Sequence, residues 1–294
     1  MGARQSPLGG YLRARRNVVM PEDVGLTREP GRRVVGLRRE EVADLAGISS
    51  DYYLRLEQGH DHQPSAQVLM ALGRALRLDE HAMEYMLRIS GPELRPPAAS
   101  RTPLIDDNVL TLLNQWSQTP SFVIDRNQDV LAANTLARSM GEGFISPGKN
   151  LVVRVFSERF KSITPGWERF ALDTVAALRF NSDRTNKRLQ EIVGKLSMES
   201  ADFRAMWARH DARPFNSGSI GTLIDGIGVV EFHYQNLAIP GHDGYVLSTF
   251  FGDKGTDALA ALTHLMSRMP GEGATDGADT EPELTLSAVD AEHA

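Results

Sequence analysis

The stretch Leu37–Gly59, which reads LRREEVADLAGISSDYYLRLEQG, constrains the fold of this chain more than any other. Val42, Leu45 and Ala46 recur at helical spacing and define the inner face of a first helix. Gly47 ends it, because glycine reaches the left-handed conformation without steric cost. Ser49 then offers a side-chain oxygen to cap a second helix, whose Tyr53 and Leu56 point inward. Val42, Leu45, Ile48, Tyr53 and Leu56 can lock the pair across the tight turn Ala46-Gly47-Ile48-Ser49. Two short helices joined in this way are either a helix-turn-helix or a plain helical hairpin.

A helix-turn-helix inserts the leading end of its second helix into the major groove of DNA. Here that end offers Ser49, Ser50, Asp51 and Tyr52, with Arg55 one turn on. Arginine can donate two hydrogen bonds to guanine O6 and N7, worth about 1–3 kcal/mol of base discrimination. Ser50 suits a base or a phosphate, and Tyr52 a thymine methyl or a phosphate. Asp51 repels phosphate, so it is expected to meet a cytosine amine or to steady a neighbouring arginine. Arg38 and Arg39 open the first helix and are expected beside the phosphate backbone. Cations oppose the dipole at a helix start, and Glu40 and Glu41 offset that cost.

A net charge of −6 argues against nucleic acid only until its distribution is read. Residues 1–39 hold nine arginines against three acids, whereas the chain from Pro270 onward holds seven acids and no lysine or arginine. That asymmetry suits one nucleic-acid-facing module, although a basic loop and a solubilising tail would give the same counts.

Around the motif, residues 8–89 read as five helical segments, interrupted by a Pro- and Gly-containing loop from Met20 to Gly36. Gly91–Pro103 is rich in Pro, Ala and Ser and reads as a linker. Beyond it the pattern predicts strands at 121–125 and 130–133 around a turn at 126–129. Helices are expected near 134–140, 149–162, 166–180, 184–197 and 200–210. Late strands at 228–234 and 244–251, with 220–224 possible as a third, precede a helix near 256–268. Residues 270–294 lack apolar periodicity and are expected to be disordered.

Residues 8–89 resemble the Xre (lambda-repressor-like) helix-turn-helix family. The resemblance is carried by Leu8–Arg16 (LGGYLRARR), Pro21–Leu26 (PEDVGL), Gly36–Ala43 (GLRREEVA), Leu45–Gly47, Asp51–Tyr53, Arg55–Gly59 (RLEQG) and Pro64-Ser65. It implies a pairing of Arg16 with Glu57 that fixes the second helix and reads no base. The subgroup most similar to this chain carries a C-terminal MmyB-like ligand-binding domain. Relatives often place basic residues after the second helix, where this chain has His60-Asp61-His62-Gln63. These are expected to be a variable loop tip; charged below about pH 6, they would instead strengthen phosphate binding.

Residues 104–268 are similar to that ligand-binding domain through Thr119–Asp125 (TPSFVID), Asp129–Asn134 (DVLAAN), Phe203–Asp211 (FRAMWARHD) with Arg213, and Gly228–Tyr234 (GVVEFHY). The stretch Gly218–Gly226 departs from the family pattern. The resemblance implies a PAS-like α+β fold with a pocket for a small apolar molecule such as a fatty acid. Phe122, Ile124, Trp167, Phe170, Phe203, Met206, Trp207, Phe232 and Tyr234 are candidates to line it, each equally able to be ordinary core. His210 and Arg213 could anchor a carboxylate, or form a helix cap and a local ion pair.

With no cysteine, disulfides, thiolate metal sites and cysteine nucleophiles are excluded. His210-Asp211 lacks the further ligands of a metal-dependent hydrolase. Gly226-x-Gly228 and Gly141-x-Gly143 lack the rest of a dinucleotide fingerprint, and no phosphate-binding loop or serine elbow occurs. The sequence therefore predicts a non-enzymatic, cofactor-free, cytoplasmic chain without a membrane span. It is multidomain, with a five-helix helix-turn-helix domain at 1–90, a linker at 91–103, a PAS-like α+β domain at 104–269 and an acidic tail at 270–294. The expected partners are double-stranded DNA, a small apolar ligand and a second copy of the chain. The rival expectation is a ligand-binding or interaction module whose helical domain takes a protein partner.

Overall fold

The computed structural model describes residues 6–28, 31–60, 63–91, 105–140, 144–183, 185–242 and 244–268. Most of the proposed linker, and the tail from 270, lie outside these.

The N-terminal part is helical, with α1 at Pro7–Val18, α2 at Arg39–Ala46, α3 at Ser50–Gln58, α4 at Ala66–Ala75 and α5 at Glu80–Ser90. Its loop from Met20 to Gly36 holds one 3₁₀ turn at Pro21–Val24. Serine or aspartate side chains cap four of these helices: Ser6, Ser49, Ser65 and Asp79 each accept a backbone N–H from the first turn. Leu8, Tyr11, Leu12, Leu37, Val42, Tyr53, Leu56, Leu72, Leu76 and Met86 form the core between the helices. Leu45, expected inward, is 40% exposed. The inner face of this short helix is taken by Val42, Ala43 and Ala46, which leaves Leu45 at its edge.

The C-terminal part is α+β. It begins with α6 at Asp107–Gln115, a helix absent from the sequence expectation. Five antiparallel strands follow in the order β2-β1-β5-β4-β3: β1 Ser121–Ile124, β2 Val130–Ala133, β3 Ser217–Ile224, β4 Gly228–Ala238 and β5 Val246–Phe251. β4 shows the period of two expected of a sheet with one covered face, burying Val230, Phe232 and Tyr234 while Val229 and Glu231 stay exposed. β1 is buried on both faces. Its Val123 joins Leu113 of α6, Ala132 and Leu247 in a small core behind the sheet, and Phe122 and Ile124 face the main core in front.

The front face carries α7 at Thr135–Met140 and α13 at Asp257–Ser267. A helical layer follows, formed by α8 at Leu151–Val155, α9 at Glu158–Ile163, α10 at Trp167–Asn181, α11 at Lys187–Glu199 and α12 at Ala201–Ala208. The single helix expected over 149–162 is therefore two. Ser157 interrupts it by capping α9, accepting the Phe160 N–H at 3.3 Å. No described helix is long and apolar enough to cross a membrane.

Candidate functional site

α3 is held from behind and open in front. Tyr53, Leu56 and Glu57 are buried, whereas Ser49, Ser50, Asp51 and Arg55 are exposed. Tyr52 is half-buried against the core, with the Arg55 guanidinium 5.6 Å from its ring centre. The turn before α3 is made by Gly47 at φ +67°, and Ser49 Oγ accepts the Tyr52 N–H at 3.2 Å. The geometry is that of a helix-turn-helix with its second helix leading.

Glu57 fixes that helix. Its carboxylate, fully buried, accepts from Arg16 Nε and Arg39 Nε, each at 2.7 Å, with Arg13 Nε at 4.0 Å. Burial alone would push this carboxyl up, but the hydrogen bonds from Arg16 and Arg39 outweigh it and hold the group below the usual glutamate range. Arg16 also donates to the Leu37 carbonyl at 2.9 Å, tying α1 to the entry of α2. α1 can lie this close to α3 because residue 9 is glycine: a Cβ there would overlap the Leu56 and Glu57 carbonyls. Arg39, expected only at phosphate, is thus also part of the clamp, though its side chain remains 45% exposed. Arg32 grips Glu41 through two bonds of 2.5 and 2.6 Å and fastens the preceding loop to α2.

The second site is an apolar cavity of about 110 Å³ between the sheet and the helices of the C-terminal part. Phe122, Ile124, Ile220, Tyr234 and Phe250 line it from the sheet, and Val155, Phe160, Ile163 and Phe170 from the helices. Three of its neutral polar side chains are engaged by neighbouring protein groups. Gln128 donates to the Thr174 carbonyl at 2.9 Å, Ser248 donates to Asn236 at 2.5 Å, and Asn236 donates to the Phe215 carbonyl. Among the described residues Arg154 is the one charged side chain on the wall. It stands against the Phe144 ring and donates to Ser157 Oγ at 2.9 Å.

Of the residues expected to line a pocket, Phe122, Ile124, Phe170 and Tyr234 do so. Phe232 is fully buried in the sheet core without reaching the cavity. Trp167, Phe203, Met206 and Trp207 pack with Phe156 in a separate core of the helical layer, because α12 lies over α10 and α11 and away from the sheet. Arg213 pairs with Asp173 at 2.5 Å, and His210 faces Tyr11 of α1, so neither reaches the cavity. Arg154 was missed; the sequence signal available was a lone arginine inside the apolar run LVVRVF. Among the described residues no cluster of three or more metal-ligating side chains comes together.

A helix-turn-helix face and an apolar cavity on an α+β domain in one chain define the class of two-part transcription regulators. The family described as the MmyB-like transcription regulator ligand binding domain matches residues 105–265, and a helix-turn-helix domain family matches 7–86. The chain belongs to the MmyB-like transcription regulator family. No curated protein matches it. Among solved structures, an RNA-binding Light-Oxygen-Voltage receptor aligns at 9% identity and a TM-score of 0.24, over 78% of this chain and 56% of that one.

Proposed function

We propose that this protein is a sequence-specific DNA-binding transcription regulator controlled by a small apolar acid. Residues 1–90 are the DNA-binding module, 91–103 the connection, 104–269 the ligand-binding module and 270–294 an acidic tail. α3 reads bases through Ser50, Asp51, Tyr52 and Arg55, while Arg38, Arg39 and Ser49 meet the backbone. The observation that carries this reading is the asymmetry of α3, with a polar leading edge in solvent and Glu57 clamped behind it. One such module covers few base pairs, so a homodimer on two half-sites is the expected assembly, to be checked by sedimentation.

The wall chemistry supports the ligand class. A cavity of about 110 Å³ is comparable to the ~150 Å³ apolar cavity that admits benzene, so a short fatty acid fits better than a long one. Arg154 suits its carboxylate.

Selection from random duplexes tests the DNA half. The parent chain enriches one motif, and the Ser50→Ala/Arg55→Ala variant, unchanged in circular dichroism, enriches none. Retention of the motif by that variant would move the helical domain to a protein partner instead. Calorimetry with butanoate and butanol tests the other half. Butanoate binds, and Arg154→Gln weakens it by about tenfold or more, the cost of a hydrogen bond to a charge. Butanol bound as tightly as butanoate would remove the acid.

A further inference from the structure

The core of the N-terminal helices is completed by two residues from the other half of the chain. Phe180, at the end of α10, and Ala212, just past α12, are both buried in it. Arg88 of α5 donates to the Phe180 carbonyl and lies 4.7 Å from the centre of its ring, with the His81 ring edge-on at 6.1 Å. A second contact sits beside the first. Arg15 of α1 pairs with Asp211, and Arg209 holds the same carboxylate at 2.7 Å. His210 between them adopts φ +55°, a left-handed conformation uncommon outside glycine, at the turn that carries Asp211 to α1. Burial alone would raise the Asp211 carboxyl; the Arg209 hydrogen bond and the Arg15 charge hold it below the usual range.

Both ends of this contact reach a site already described. α10 carries Phe170 and Thr174 on the cavity wall, and Phe180 lies about 15 Å from Phe170 along the same rigid helix, at 1.5 Å per residue. α1 carries Arg15 toward Asp211 and Arg16 toward Glu57 behind the DNA-reading helix. We infer that Phe180–Arg88 and Asp211–Arg15 form a joint that docks the DNA-binding helices on the ligand-binding domain, and that a ligand displacing α10 moves α1 and α3 through it. The docking stands by itself; the transmission rests on the ligand reading above. The physical requirement is a joint with two discrete arrangements, biased by cavity occupancy.

The absence of cysteine allows a direct test on the full chain. Spin labels on Gln67→Cys in α4 and Lys195→Cys in α11, both exposed positions, report the distance between the two halves by pulsed dipolar spectroscopy. The parent gives one narrow distance peak. Asp211→Asn and Phe180→Ala, and from the other side Arg15→Ala and Arg88→Ala, each lose it while circular dichroism stays unchanged. Narrow peaks in all four folded variants, or a broad parent, would overturn the docking. Butanoate shifts the parent peak and leaves the joint variants unmoved. Butanoate that raises the melting temperature without shifting the parent peak would overturn the transmission and spare the ligand reading. If butanoate does not bind, Thr174→Met supplies the push on α10 instead; a parent peak that it leaves in place would overturn the transmission equally.

Discussion

Replacing Glu57 with glutamine removes one negative charge from the middle of the DNA-binding helices and keeps the side-chain shape. Arg16, 8% exposed, then keeps its charge in the core without the carboxylate that it faces at 2.7 Å. Breaking a buried pair in this way costs about 3–5 kcal/mol, because the remaining ion cannot regain its hydration. Arg39 and Arg13 can swing toward water, which sets the expectation at the lower end, about 3 kcal/mol. With an m value of about 1–1.5 kcal/mol/M for a unit of this size, the urea midpoint of the N-terminal helices falls by about 2–3 M. The two halves can be followed separately. All three tryptophans, Trp116, Trp167 and Trp207, lie in the C-terminal half, so selectively excited tryptophan emission reports that half, and far-ultraviolet circular dichroism reports both. The dichroism transition of Glu57→Gln should split, with an early phase that tryptophan emission does not share. A midpoint shift below about 0.5 M would place the pair among surface ion pairs, worth about 1 kcal/mol or less, and refute the clamp.

Three further outcomes follow from the same geometry. Gly9→Ala drives a Cβ into the Leu56 and Glu57 carbonyls and should cost about 1–3 kcal/mol in chemical denaturation; no loss would mean that α1 and α3 separate freely. The folded Glu57 carboxyl lies below its ordinary range, so its stabilisation is complete above that range and is lost as pH falls through the folded value. The parent should therefore lose stability more steeply than Glu57→Gln between about pH 5 and 3, and parallel curves would contradict the assignment. Phe250→Ala, which removes a ring stacked 6.0 Å from Phe122 on the cavity wall, should lower stability by about 3–5 kcal/mol and shift acid preference to longer chains in calorimetry.

The helix-turn-helix was legible because its signals are local. Gly47, Ser49 and Gly59 punctuate helices whose apolar residues share one face, and the resemblance tied Arg16 to Glu57 before any distance was known. The cavity was harder to read because aromatic residues carry no label for the core they enter. Phe170 and Phe203 look alike in the sequence, yet α10 turns the first to the sheet, while the second packs against Phe156 and Trp207. Arg154 was hidden for a related reason. An arginine in an apolar run reads as a surface position until the fold places the run across a cavity. The Arg209-His210-Asp211 element was visible as a motif, but its partner Arg15 lies far off in the chain, a separation that no local pattern encodes.

Arg39 belongs to both the clamp and the predicted phosphate contacts, and salt dependence can separate the two roles. Each phosphate neutralised by a cation contributes about 0.9 to the slope of log affinity against log salt. A guanidinium held at 2.7 Å from a buried carboxylate already has a counter-charge, so docking on phosphate releases less than one counterion on its account. Arg39→Gln should therefore lower affinity at every salt concentration, by loosening α3, and change the slope by clearly less than 0.9. Stability should fall with it, by about 1 kcal/mol or more, the value of a hydrogen bond to a charged partner. If Arg39→Gln changed the slope by a full phosphate and left the urea midpoint untouched, Arg39 would be a backbone contact alone, and Glu57 would depend on α1 for its charge balance.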